Sequence, residues 1–180
     1  LRTRRFLNGL DLGSESVPAA GDLDGDGEAD LVVGTKIDVS GDAGRLHVLR
    51  NTGTRSAPSF RLRAGQKLVD DFHLAPALGD LDGDGDLDLL VGTWNKDIRY
   101  FRNQGSSKEP KFVEDEAAAI KPPRASLVSP VLADMDADGD LDLVVGTANG
   151  AILFYRNDGS RKAAKFVLVS ERFGDLKPGR

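Results

Sequence analysis

Cysteine is absent from the 180 residues, so no disulfide supports the fold and no thiol serves as nucleophile or soft metal ligand. Met and Trp occur once each, Tyr and His twice. No apolar run approaches the ~20 residues of a membrane-spanning helix, so membrane insertion is not expected. Neither G-x-S-x-G nor H-E-x-x-H occurs, which removes two common hydrolase arrangements. His47 and His73 fall in unlike surroundings, one in a candidate strand and one in a connection, which argues against a histidine metal or catalytic site. The chain opens on Leu1 and shows no leader, and it is expected to be a segment of a longer protein.

What is abundant is aspartate, in one arrangement written three times. Residues 21–35 read GDLDGDGEADLVVGT, residues 79–93 GDLDGDGDLDLLVGT, and residues 133–147 ADMDADGDLDLVVGT. In the pattern D-x-D-x-D-G-x-x-D, positions 1, 3, 5 and 9 are Asp22, Asp24, Asp26 and Asp30 in the first copy. They are Asp80, Asp82, Asp84 and Asp88 in the second, and Asp134, Asp136, Asp138 and Asp142 in the third. Four carboxylates within nine residues repel one another unless a cation lies between them. Hard oxygen donors on a wrapping loop suit calcium, which takes 6–8 oxygens in loose geometry. Gly27, Gly85 and Gly139 hold position 6, where the loop turns sharply and a side chain is expected to obstruct it. Position 7 (Glu28, Asp86, Asp140) is expected to act through its backbone carbonyl, which leaves its side chain free to vary.

A solvated acidic turn is the plain alternative for one such loop; three copies with the same glycine argue for three calcium sites. The loop is not a helical EF-hand, which needs a bidentate Glu at position 12. Here position 12 is Val33, Val91 or Val145, inside a run that reads as a buried strand. Repetition at identical spacing also favours metal over paired catalytic carboxylates, which occur once per active site. The net charge of −5 reflects these loops. Twelve of the 29 acidic residues lie at the ligand positions, leaving 17 against 24 basic ones. That basic excess is scattered without interleaved aromatics, so no nucleic-acid partner is expected.

The motif recurs after 58 and then 54 residues, near the period of propeller blades. Each unit begins with a proline-containing segment (Pro18, Pro76, Pro130) that leads into the acidic loop. Apolar strands follow at 31–33, 87–91 and 141–145, then third strands at 45–51, 98–103 and 152–157. Turns at Asn51-Thr-Gly53, Asn103-Gln-Gly105 and Asn157-Asp-Gly159 are expected to take positive φ. Fourth strands open at Phe60, Phe112 and Phe166. Four short strands per unit predict an all-β chain of antiparallel four-stranded blades, about three of them, a partial β-propeller. The expected division is an outer strand of a preceding blade at 1–12 and blades at 13–65, 66–118 and 119–180, all one repeat domain. The first unit carries six extra residues, about 37–43, expected to be a polar loop on one rim. Residues 114–120 offer at most a turn or two of helix.

The acidic loop followed by RNTGTRSAPSF resembles the FG-GAP or VCBS repeat family, found in integrin alpha subunits and many secreted bacterial proteins. The likeness covers nearly the whole chain. Its Phe-Gly and Gly-Ala-Pro signature survives only in fragments such as Ala75-Pro76, and Ala164 stands where the other units have Pro58 and Pro110. The resemblance implies four-stranded propeller blades with calcium in the loop joining the first two strands. It also implies a non-catalytic, extracellular segment, secreted or at the cell surface, acting in adhesion or ligand binding, with a protein or glycan as ligand. An accessory domain of a secreted enzyme, carbohydrate-binding in the manner of a lectin, is the other reading. Further blades are expected from a longer parent chain or from a second copy. Trp94, in a short hairpin after Gly92-Thr93, either anchors a partner or sugar or covers the gap between neighbouring blades.

Overall fold

The computed structural model describes residues 11–40, 43–63, 68–69, 71–95, 97–106, 108–123 and 125–175. Its strands fall into three groups of four. The first is β1 (Val17–Gly21), β2 (Asp30–Gly34), β3 (Leu46–Asn51) and β4 (Phe60–Arg63). The second is β5 (Ala75–Gly79), β6 (Asp88–Gly92), β7 (Ile98–Asn103) and β8 (Phe112–Glu114). The third is β9 (Ser129–Ala133), β10 (Asp142–Gly146), β11 (Ile152–Asn157) and β12 (Phe166–Ser170). Each group forms one antiparallel sheet with its strands in chain order. The chain is therefore all-β, with three four-stranded sheets of the propeller-blade kind. A short 3-10 turn at Glu116–Ala118 is what 114–120 becomes. The segment expected as a preceding blade's strand lies outside the described residues except for Asp11 and Leu12.

The prolines mark the sheet edge. Pro18, Pro76 and Pro130 all sit in the first strand of their sheet, where a missing N–H breaks no interior ladder. These first strands lie side by side, β1 against β5 and β5 against β9, so the sheets stack face to face.

Two hydrophobic layers fill the seams. Between the first and second sheets, Val32 and Leu46 meet Leu89, Val91, Phe101 and Phe112. Between the second and third, Leu90, Ile98 and Tyr100 meet Leu143, Val145, Leu153 and Tyr155. β6 is buried at all five positions because odd and even side chains both have a sheet to face. That double coverage is why residues 89–91 read as an unbroken apolar run. No helix among the described residues is long and apolar enough to cross a membrane.

Several glycines are set by contact with the neighbouring sheet. A Cβ on Gly34 would lie 2.0 Å from the Leu74 carbonyl oxygen, and one on Gly92 2.0 Å from that of Val128. At the matching Gly146 the nearest atom is 3.8 Å away. The turn glycines Gly53, Gly105 and Gly159 also differ from expectation. None is among the positive-φ residues; instead a Cβ there would press on the Ala57, Glu109 or Ala163 carbonyl at 2.1–2.3 Å.

The insertion in the first unit is more anchored than a polar rim loop. Ile37 pairs with both Ser14 and Ala43, and Asp38 is buried against Arg45 Nε at 3.3 Å and His47 Nε2 at 3.5 Å. The stacking makes an asymmetric prediction. Gly92→Ala should cost about 1–3 kcal/mol by overpacking, whereas Gly146→Ala should stay within about 0.5 kcal/mol. Denaturant unfolding of the two variants is the measurement; equal losses would contradict the close seam at Gly92.

Candidate metal centres

The three acidic loops join the first and second strands of each sheet, and backbone amides shape them from within. The position-1 carboxylate caps the loop. Asp22 accepts from Gly25 N at 2.7 Å and Gly27 N at 2.9 Å, and Asp80 accepts from Gly83 N at 2.7 Å and Gly85 N at 3.1 Å. Asp134 accepts from Gly139 N at 3.1 Å. The position-6 glycines have φ of 88°, 93° and 95°, in the left-handed region that disfavours a side chain. A Cβ there would meet nothing within 4 Å, so backbone conformation rather than the expected obstruction requires glycine.

Position 9 is the deepest. Asp30, Asp88 and Asp142 are buried at the start of β2, β6 and β10. Each carboxylate accepts from two backbone amides, one in its own loop and one at the end of the third strand. For Asp30 the donors are Leu23 N at 3.2 Å and Asn51 N at 2.7 Å. For Asp88 they are Leu81 N at 3.1 Å and Asn103 N at 2.8 Å, and for Asp142 Met135 N at 3.0 Å and Asn157 N at 2.8 Å.

Positions 1, 3 and 9 converge. Asp22, Asp24 and Asp30 each bring one carboxylate oxygen within 4.8 Å of the others, as do Asp80, Asp82 and Asp88, and Asp134, Asp136 and Asp142. Position 5 stands outside this triad. Asp26, Asp84 and Asp138 instead accept from the position-7 amide at 2.8, 2.9 and 3.0 Å. Two of the position-7 side chains, expected to vary in identity, are turned in: Glu28 Oε2 and Asp140 Oδ1 are buried without a hydrogen-bond partner, as is Asp82 Oδ1 of position 3. Bare, buried carboxylate oxygens beside a triad of further carboxylates fit a hard divalent cation, so each loop has the donor set to chelate a metal ion.

The electrostatics agree. Burial raises Asp30 and Asp88 above the ordinary carboxylate range; their backbone donors pull the other way, and neighbouring aspartates add to the rise. Asp86 and Asp140 are raised by burial and then by the other carboxylates of their loops. Burial raises the Tyr100 hydroxyl too, and it donates to Asp88 Oδ2 at 2.8 Å.

Some partners lie beyond what the motif shows. Asn51, Asn103 and Asn157 act through their side chains, each oxygen accepting from two amides across the turn, such as Gly53 N and Ser59 N, both at 3.0 Å. Arg50 pairs with Asp24, and Arg102 reaches Asp82 at 3.2 Å. The repeated Arg-Asn before each turn is the signal that could have found them. Trp94 lies at the connection between the first two sheets, as the gap-covering reading expects. Its amide donates to the Phe72 carbonyl at 2.9 Å in the connection between the first two sheets, and its ring lies near His73 at 6.2 Å. Yet it remains 47% exposed, beside Phe72 at 46%.

A group whose pKa is raised by folding binds its proton more tightly in the folded state, so its contribution is present at low pH and lost as pH rises through the folded value. Metal-free protein should therefore melt higher as pH falls from 7 into the window just above the ordinary aspartate range, where Asp30, Asp86, Asp88 and Asp140 take up protons. A melting temperature that falls steadily over that interval in chelator would contradict it.

Comparison with known proteins bears on the whole array. The FG-GAP-like repeat matches over residues 22–91 and again over 80–145. Integrin alpha-7 of Rattus norvegicus is 30% identical over 169 residues, covering 88% of this chain and 15% of that protein. Integrin alpha-7 of Homo sapiens is 35% identical over 147 residues, covering 76% of this chain and 12% of that protein. The chain thus spans less than about a sixth of the length of the curated relatives it matches. FG-GAP-like repeats are non-catalytic modules, in keeping with a chain whose carboxylates repeat as three equal constellations. With three sheets in chain order, each carrying the same acidic loop, this chain belongs to the FG-GAP-like repeat family, in a region homologous to integrin alpha subunits.

Proposed function

We propose that the chain is a calcium-stabilised propeller segment of an extracellular protein, presenting a rigid surface for adhesion or ligand binding. The observation that carries this is the same carboxylate triad appearing three times at the same place in three sheets. In each loop the carboxylates of positions 1, 3, 5 and 9 and the carbonyl of position 7 would hold the ion. Calcium would supply charge neutralisation, without chemistry of its own, and so stabilise only the folded loop. The units are taken as 13–65, 66–118 and 119–180, with 1–12 as a strand of a preceding blade. The outer face of the third sheet exposes Val131, Val167 and Val169, apolar surface that a further blade of a longer chain or a second copy would cover.

The exposed Trp94 and Phe72 favour one secondary reading: a carbohydrate-binding surface, as in an accessory domain of a secreted enzyme. Aromatic faces stack on the apolar side of a sugar ring, and Asn95 beside them is already oriented by Asp71 at 3.0 Å.

Calorimetric titration of chelator-stripped protein should give a calcium stoichiometry near three, falling to two in Asp82→Ala, with magnesium a poor substitute. Each site should add about 2.7 kcal/mol of stability at free calcium a hundredfold above its Kd. A melting temperature indifferent to chelator would remove the structural role. On a glycan array, any specific signal should be lost in Trp94→Ala; a blank array for the unmodified chain excludes the sugar reading.

A further inference from the structure

The third strand of every sheet ends in arginine followed by asparagine, but the three arginines are not placed alike. Arg50 Nε pairs with Asp24, the position-3 carboxylate of the first loop. Arg102 Nη1 meets Asp82, its equivalent in the second loop, at 3.2 Å, and its Nε meets Asp115 at 3.2 Å. Arg156 turns the other way: its Nε donates to Asp158 Oδ1 at 2.5 Å. Among the described residues, no ion pair joins it to Asp136. The cause lies in the turn, where Asp158 stands at the place of Thr52 and Gln104 and supplies a carboxylate two residues away.

We infer that Arg50 and Arg102 are built-in counter-cations that lower the calcium affinity of the first two loops, and that Asp158 frees the third loop to be the tightest site. The inference rests on the calcium reading above and names its regulation. A guanidinium on a ligand carboxylate acts on both sides of the binding equilibrium. In the metal-free loop it relieves repulsion among the carboxylates; in the loaded loop it stands one carboxylate away from a dication and repels it. Both effects weaken binding. They do not abolish it, because Asp82 gives Oδ2 to Arg102 while Oδ1 stays buried without a partner. In the third loop Arg156 is drawn to Asp158 and reaches Asp136 and Asp142 only through space, without an ion pair, so both effects are weaker there. Arg161 and Lys162 line a cavity of about 540 Å³ between the second and third loops, so their field falls on both and does not distinguish those two.

The test is calcium titration of the chelator-stripped chain by calorimetry, with melting temperature in chelator as a second readout. One site should bind about tenfold more tightly than the other two. Arg50→Met and Arg102→Met should each move one weak site into the tight class while lowering the chelator melting temperature. Asp158→Thr, which copies the first unit, should move the third site into the weak class, and Arg156→Met should leave it tight. Three equal sites, or an Arg102→Met variant that binds more weakly because the arginine merely orients Asp82, overturn the inference while leaving the calcium reading intact. No calcium binding by the unmodified chain overturns both.

Discussion

The buried aspartate at position 9 of each loop is the contact on which the rest depends. Asp30, Asp88 and Asp142 open the second strand, yet their oxygens are bound by amides of the preceding loop and of the third strand. An unpaired carboxylate at that depth would cost several kcal/mol, so its donors must stay in place for the sheet to exist. From there the order passes outward. The asparagine that donates its amide to the aspartate uses its side-chain oxygen to hold the next turn, through Gly53 and Ser59, Gly105 and Lys111, or Gly159 and Lys165. Loop, third strand and fourth strand thus form one hydrogen-bonded relay per unit.

The same loops belong to the core. Leu23 and Leu81, at position 2, are only 4% exposed and plug the seams between consecutive sheets, while the matching Met135 is 44% exposed. The Ala164 amide also reaches back to the Leu81 carbonyl at 3.2 Å. An ion that orders the second loop would therefore order the packing between the second and third sheets as well.

Much of this was legible in the sequence because the determinants are local. Strand period, Phe60, Phe112 and Phe166 as starts of fourth strands, and the spacing of the acidic loops all follow from residues within one unit. What escaped was set by contacts between units or by side-chain direction. Nothing local says that Gly34 and Gly92 face a neighbouring carbonyl while Gly146 does not. Nothing in the motif separates position 5, bonded within its loop, from positions 1, 3 and 9, which converge. The burial of Asp38 depends on Arg45 and His47 folding back over the insertion, a tertiary choice that composition reads only as a polar loop.

The close seams also bear on how such an array can be rearranged. Gly79 and Gly83 of the second unit become Ala133 and Ala137 in the third. A methyl at 79 would collide with Leu141 and Leu132, and one at 83 would lie 2.8 Å from the Arg161 carbonyl oxygen. A third unit transplanted into the middle place would carry both methyl groups into that gap. The units are copies in sequence but not interchangeable tiles, and shuffling or duplicating them would require trimming those two alanines first.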